Sequence, residues 1–434
     1  MRVLSLAGQL ASLTAVVCAV SEIERRQGLP LVDSISLQDS ITVEALQRHS
    51  QILEDIAYAT EERNRFIGTP GHVGTGDYVV SQLEALGGYY DISIQNFTVL
   101  AQTEGSGNLS VNGVDQGAEL YEYSPGGNIT APIIAVANLG CEAADYPNTV
   151  DGNIALISRG ECEFGLKSAL AGAAGAAGAI IYNNVPGEIA GGTLGPPPRP
   201  EGDYVPTVQV TQANGTAILD SITAGGNVTG TINAFSIILN ITTFNVLAET
   251  VGGDKDNVLV LGGHSDSVEA GPGINDDGSG IMGILETAIQ LSNYSTNNAV
   301  RFAFWGAEEE GLLGSTHYVQ DLNSTDAGRA ELAKIKLYLN FDMIASPNYI
   351  FGIYDGDGSA FNVSGPQGSA EAEYFFETFF NGAARNFTTT EFTGRSDYGP
   401  FLDIGIASGG LFTGAELNKT VAQAEIFGGV AGLA

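Results

Sequence analysis

The chain has 434 residues, 44% of them hydrophobic, enough to bury the cores of two domains or of one large domain with an insertion. Its formal net charge is -33 with only 17 Lys and Arg, which argues against nucleic-acid binding, because phosphate contacts need basic side chains. With aromatics at 8%, global disorder is excluded as well.

Arg2, the apolar run Leu4 to Val20 and small residues near Ala19 read as a secretory signal over 1–20. No later stretch is apolar enough to span a membrane. Arg25-Arg26 is a dibasic pair where a second cleavage could remove a short propeptide. The segment 43–59 has helical periodicity, with Leu46, Ile52, Leu53 and Ile56 on the apolar side. Gly68-Thr69-Pro70-Gly71 reads as a turn, followed by a helix over 76–86 and a strand over 90–100. His49 and His72 have no acidic or histidine partner at ligand spacing, so surface or turn roles are expected for them.

The character changes over 126–229. Residues 153–157 read as a strand, 167–178 as a small-residue helix, 179–184 as another strand and 195–200 as a stiff Pro-rich loop. Neither a metal-binding set nor a nucleophile constellation is found in it. From 235 onward strands alternate with helices: strands over 235–250, 257–261, 299–305 and 334–343, helices over 278–292, 312–322 and 369–384. That alternation predicts an α/β fold, a mostly parallel sheet covered by helices on both faces.

Acids or a histidine follow three of these strands. His264 and Asp266 follow the first, Glu308 and Glu309 the second, and Asp342 ends the third. Asp276 lies in the glycine-rich loop that leads into the 278–292 helix. Open α/β sheets build sites at the carboxyl ends of their strands. One nitrogen ligand with several carboxylates suits Zn²⁺, and Mn²⁺ or Co²⁺ less specifically. Two ions about 3.5–4 Å apart, bridged by a carboxylate, would relieve the self-repulsion of such a cluster. Of Glu308 and Glu309, one can bind metal while the other moves a proton. Asp266 is placed to fix the His264 ring.

Two resemblances follow from these residues. Gly152 to Phe164, together with the Ala-Gly run up to Tyr182-Asn183-Asn184, resembles the protease-associated domain, a small β-rich insertion in secreted peptidases. Gly263 to Ser267, Gly271 to Gly280, Trp305 to Glu309, Asn340 to Ile344, Gly394 to Phe401 and the early Asn64-Arg65 turn resemble the zinc-dependent aminopeptidase family of co-catalytic metallo-exopeptidases. The resemblance implies a peptidase domain formed by 21–125 and 230–434 around an insertion at 126–229. It implies His264 and Asp342 on one zinc, Glu309 on the other, Asp276 bridging, Glu308 as general base and Asp266 orienting His264. Arg395 is a substrate contact or a structural ion pair. The implied substrates are peptides with a free N-terminus.

The chain departs from that pattern at one point. The family completes its second zinc with a histidine near the C-terminus, close to a cysteine pair. Here the histidines are His49, His72, His264 and His317, and the family match runs out after Leu411 to Glu416. An incomplete second zinc site is therefore expected in the chain as written, from a sequence shortened at its C-terminal end or from a metal-poor pseudoenzyme, with an inactive binding glycoprotein of the same fold or a carboxypeptidase of related fold as the alternative functions. Asn-x-Ser/Thr acceptors at Asn96, Asn108, Asn128, Asn214, Asn227, Asn240, Asn293, Asn323, Asn362, Asn386 and Asn418 suit a secreted or vacuolar glycoprotein. With Cys18 in the signal, Cys141 and Cys162 remain as a disulfide pair or as two free thiols.

Overall fold

The computed structural model describes residues 28–434 except 188, 190 and 416. The signal over 1–20, Cys18, the Arg25-Arg26 pair and Glu416 lie outside the described residues. The chain folds as two compact units, one built from residues up to Thr98 together with Thr242–Ala434, the other from Val99–Ile241.

In the first unit four strands run parallel: Asn298–Trp305, Asp254–His264, Ile335–Phe341 and Ser408–Phe412, in that order across the sheet. Gly352–Tyr354 and the end of Thr229–Thr250 pair antiparallel at either side. Side chains alternate in direction along Asn298–Trp305. Val300, Phe302 and Phe304 face a core shared with Leu53, Val79, Leu83 and Leu285, while Ala299, Ala303 and Trp305 face a second core with Tyr318, Leu332 and Phe401. Helices Val43–Tyr58, Pro70–Glu84 and Gly278–Leu291 supply the first core. Leu313–Asn323, Asp326–Leu332 and Gly399–Asp403 supply the second. The mixed, mostly parallel sheet covered on both faces is the α/β architecture expected from the alternation.

Three sequence readings change. The helix expected from residue 76 starts at Pro70. The Thr69 side chain accepts from the His72 N–H, and Pro70 sits in the first turn, where a missing N–H costs nothing. Gly71 is required there because a Cβ would lie 1.9 Å from the Asn64 carbonyl oxygen. His72 is not at the surface but fully buried, its Nε2 3.0 Å from Ser265 Oγ and its ring stacked on Phe244. His49 is buried too, its Nε2 3.0 Å from Glu286 Oε2 and its Nδ1 2.5 Å from the Tyr78 hydroxyl. Both histidines meet their partners through the tertiary fold, which spacing along the chain cannot reveal.

In the second unit the strands Gly127–Ala135, Ile154–Ser158, Gly178–Tyr182 and Thr207–Val210 run parallel, and Glu119–Leu120 pairs antiparallel beside the last. Ile154, Leu156, Ile180 and Val208 face one core with Ile218, while Ala155, Ile157, Ala179 and Ile181 face another with Leu170 and Ala171. The small-residue helix runs from Phe164 to Ala173, shorter than expected because Gly178 already begins the next strand. Cys141 and Cys162 form a disulfide. Among the described residues no helix is long and apolar enough to cross a membrane.

Candidate metal centre

Adjacent parallel strands bring their carboxyl ends together: Trp305 pairs with His264, and Asn340 with Gly262. The residues that follow each strand therefore meet at one edge. Asp276 Oδ1 lies 3.1 Å from His264 Nε2, Asp342 Oδ1 3.7 Å and Glu308 Oε2 3.8 Å. On the other side of the ring, Asp266 Oδ1 is 3.6 Å from Nδ1. His264, Asp276 and Glu309 each offer a ligand atom within 4.8 Å of the others, as do His264, Asp277 and Asp342. The Asp276 side chain is 41% exposed while the His264 side chain is 1% exposed, so the cluster opens to solvent past Asp276.

Asp266 has a second task. Its two oxygens accept the backbone N–H groups of Glu308 at 3.2 Å and Glu309 at 3.3 Å, which aims the glutamate pair. Burial works against ionisation of Asp266, yet the His264 ring and the Glu308 N–H outweigh it and hold its pKa below the usual value. Asp277, next to Asp276, is already saturated. It caps the Gly278–Leu291 helix through the Gly280 N–H and also accepts from the N–H groups of His264 and Met343. Gly280 lets this helix start approach the strand end; a Cβ there would lie 1.8 Å from the Phe341 carbonyl oxygen.

Asp342 is aimed by a chain of hydrogen bonds that sequence reading did not find. Trp305 Nε1 donates to the Tyr338 hydroxyl at 2.9 Å, and that hydroxyl donates to Asn340 Oδ1 at 2.9 Å. Asn340 Nδ2 donates to Ser396 Oγ at 2.8 Å, and Ser396 Oγ donates to Asp342 Oδ2 at 2.5 Å. Asp397, beside Ser396, is fully buried and both its oxygens lack a well-formed hydrogen bond. Burial raises its pKa to about 7, with His264 and Ser315 opposing and the Asp342 charge adding. Ser396 and Asp397 lie inside the Gly394 to Phe401 block, where the sequence reading gave a role to Arg395 alone; Arg395 is exposed on the preceding loop. Arg65 is a buried clip: its guanidinium donates to the carbonyls of Ser265, Pro272 and Gly273 and so ties down the loop after His264.

The charges at this edge do not balance without a cation. Burial, opposed by His264 and reinforced by Asp342 and Asp397, pushes Glu308 well above the usual carboxylate range. Burial first, and then repulsion from Asp276, Asp266 and Asp342, lifts Glu309 to about 8. Glu309 Oε1 and Asp342 Oδ1 are buried without a hydrogen-bond partner. Oxygens orphaned in this way are costly unless an ion or a donor meets them. One imidazole among several carboxylates is a donor set that fits zinc. A separate cavity of about 540 Å³, lined by residues such as Asn108, Asn128 and Phe235 of the second unit, contains none of these groups.

Residues 245–424 match Peptidase family M28, and residues 129–218 match the PA domain. The chain is 51% identical over 406 residues to leucine aminopeptidase 2 of Arthroderma otae, covering 93% of this chain and 80% of that protein. It is 52% identical over 405 residues to the probable leucine aminopeptidase 2 of Aspergillus fumigatus, covering 93% and 79%. Among solved structures, an aminopeptidase from Aneurinibacillus sp. strain AM-1 superposes with a TM-score of 0.73 at 28% identity, covering 87% of this chain and 86% of that one. A zinc aminopeptidase from Bacillus subtilis superposes with a TM-score of 0.61 at 26% identity over 85% of each chain. The chain belongs to peptidase family M28 and carries a PA domain.

Proposed function

We propose that this chain is a metallo-aminopeptidase that hydrolyses the first peptide bond of substrates with a free N-terminus. The observation that carries the reading is the convergence of Asp276, Asp342 and Glu308 on His264 Nε2, at 3.1, 3.7 and 3.8 Å. Zinc, when bound, supplies a Lewis acid that polarises the scissile carbonyl and makes the attacking water more acidic. We assign His264 and Asp342 to one ion, Glu309 to the other and Asp276 to both. Among the described residues His264 is the nitrogen donor of the cluster, since His49, His72 and His317 pack against Glu286, Ser265 and Phe97.

Glu308 accepts the proton of the attacking water and delivers it to the departing amine. Asp266 holds the His264 ring and, through the two N–H groups it accepts, the direction of Glu308 and Glu309. Acidic groups around the site would hold the substrate's free α-ammonium. Arg395, exposed on its loop, is assigned to the substrate's far side.

Release of chromophore from leucyl-nitroanilide tests the reading. Glu308→Gln, which keeps the shape and removes the base, lowers kcat by roughly 10²–10⁴-fold with an unchanged circular-dichroism spectrum. Acetylating the substrate amine abolishes cleavage; equal cleavage of the acetylated substrate contradicts an aminopeptidase. We also place the protein in the secretory pathway. The Cys141–Cys162 disulfide and the exposure of every acceptor asparagine except half-buried Asn214, whose Nδ2 is occupied by the Gln116 carbonyl, support that placement.

A further inference from the structure

We propose a second cation site, for calcium, where Asp355 and Asp357 meet Glu373, on residues separate from the zinc-binding edge. The strand Gly352–Tyr354 runs out into Asp355-Gly356-Asp357-Gly358-Ser359, which places an oxygen-bearing side chain at every second position. Helix Ser369–Gly382 brings Glu373 against this loop. One carboxylate oxygen from each of Asp355, Asp357 and Glu373 lies within 4.8 Å of the other two.

Asp355 points to the ligand. It is 1% exposed, and its Oδ2 accepts the N–H groups of Ala360 at 3.2 Å and Phe361 at 2.8 Å. Its Oδ1 is buried with no hydrogen-bond partner. A buried carboxylate oxygen orphaned on a residue grouped with two further acids is unfavourable unless a cation meets it. Glu373, 5% exposed, is oriented in the same way: its Oε2 accepts from the N–H groups of Gly356 at 2.9 Å and Asp357 at 3.0 Å. The loop is held in shape before any ion arrives. Gly365 N–H bonds to the Gly356 carbonyl at 3.0 Å, and a Cβ on Gly356 would lie 2.1 Å from the Ser369 carbonyl oxygen.

The donors are all oxygen, with no imidazole or thiolate, so the set selects a hard cation and not zinc. Asp357 is exposed and leaves room for water, which suits the six to eight oxygens of Ca²⁺ better than the strict octahedron of Mg²⁺. Bound there, the ion would tie the loop to the helix within the peptidase unit.

The test uses the zinc-loaded full chain. Calcium chloride at about 2 mM, in the range that fills weak extracellular calcium sites, raises Tm by roughly 3–6 °C. In Asp357→Ala, an exposed change that the fold tolerates, and in Asp355→Asn, the shift falls below about 1 °C. Terbium luminescence, sensitised by neighbouring Tyr354, appears with the wild type, is displaced by calcium and is lost in both variants. No calcium-dependent Tm shift in the wild type, or an equal shift in both variants, overturns the proposal. An equal shift would place the ion elsewhere, including on the His264 cluster.

Discussion

In the Val99–Ile241 unit, the parallel strands reach their ends at Ser158, Tyr182 and Val210, which lie side by side in register. The residues that follow are Arg159, Asn183 and Thr211. In the other unit the strands end at His264, Trp305 and Phe341, and acids follow each one. Both units bury alternating apolar residues on two faces of a mostly parallel sheet. The architecture therefore does not distinguish them; the residues delivered just past the strand ends do. The proposed chemistry rests on side chains at one sheet edge, and among its described residues the PA domain shows no such cluster.

Acid is the strongest way to separate the two units. All four histidines lie outside Val99–Ile241. Burial drives His72 down to about 4, so it stays neutral in the fold while an unfolded chain protonates it at the ordinary value of 6.5. The unfolded state then binds the extra proton, and stability falls as pH drops from 6.5 toward 4, by up to about 3 kcal/mol. Trp305 is the single tryptophan and sits in the core of the peptidase unit, so its fluorescence follows that unit alone. His72→Gln should flatten the dependence of its melting temperature on pH across that window. An unchanged slope would show that His72 is not the group responsible.

The opposite cut falls on the PA domain. The Cys141–Cys162 bridge joins positions 21 apart in the chain. Its loss in Cys162→Ser costs roughly 2–4 kcal/mol of local stability. Hydrogen exchange within 99–241 should speed up, while the Trp305 transition and kcat on leucyl-nitroanilide stay within about twofold. A large fall in kcat would mean that the two units are not energetically separate.

The finest cut is within the peptidase edge itself. Ser396→Ala removes the hydroxyl that donates to Asp342 Oδ2 without touching any proposed ligand. Support of this kind is worth about 10–100-fold in metal affinity. Competition with a zinc-sensitive chelator measures it. An unchanged affinity would reduce the Trp305–Tyr338–Asn340–Ser396 chain to packing.

How much of this was legible in the sequence follows from the range of each interaction. The strand, glycine loop and helix around His264 are local, and their periodicity announced them, as did the acids after the strands at Glu308 and Asp342. The groups that aim those ligands are not local. Ser396 meets Asp342 across 54 positions, His72 meets Ser265 across 193, and Arg65 reaches Pro272 across 207. No spacing rule connects such pairs, so the sequence alone assigns no role to Ser396 and Asp397 and gives His49 and His72 surface or turn roles. The start of the Pro70–Glu84 helix was different, because its signal was present and misread. Thr followed by Pro is a helix cap and first turn as well as a breaker pair, and the apolar residues after it decide between the two.

Zinc content is the most direct test of the central claim, that side chains following three strands grip a cation at one edge. Plasma emission spectrometry on protein dialysed against metal-free buffer compares the wild type with His264→Ala, both shown to be folded by their Trp305 fluorescence. The account predicts that the wild type retains zinc and aminopeptidase activity, and that the variant loses both together. Full zinc retention by a folded His264→Ala protein would contradict it.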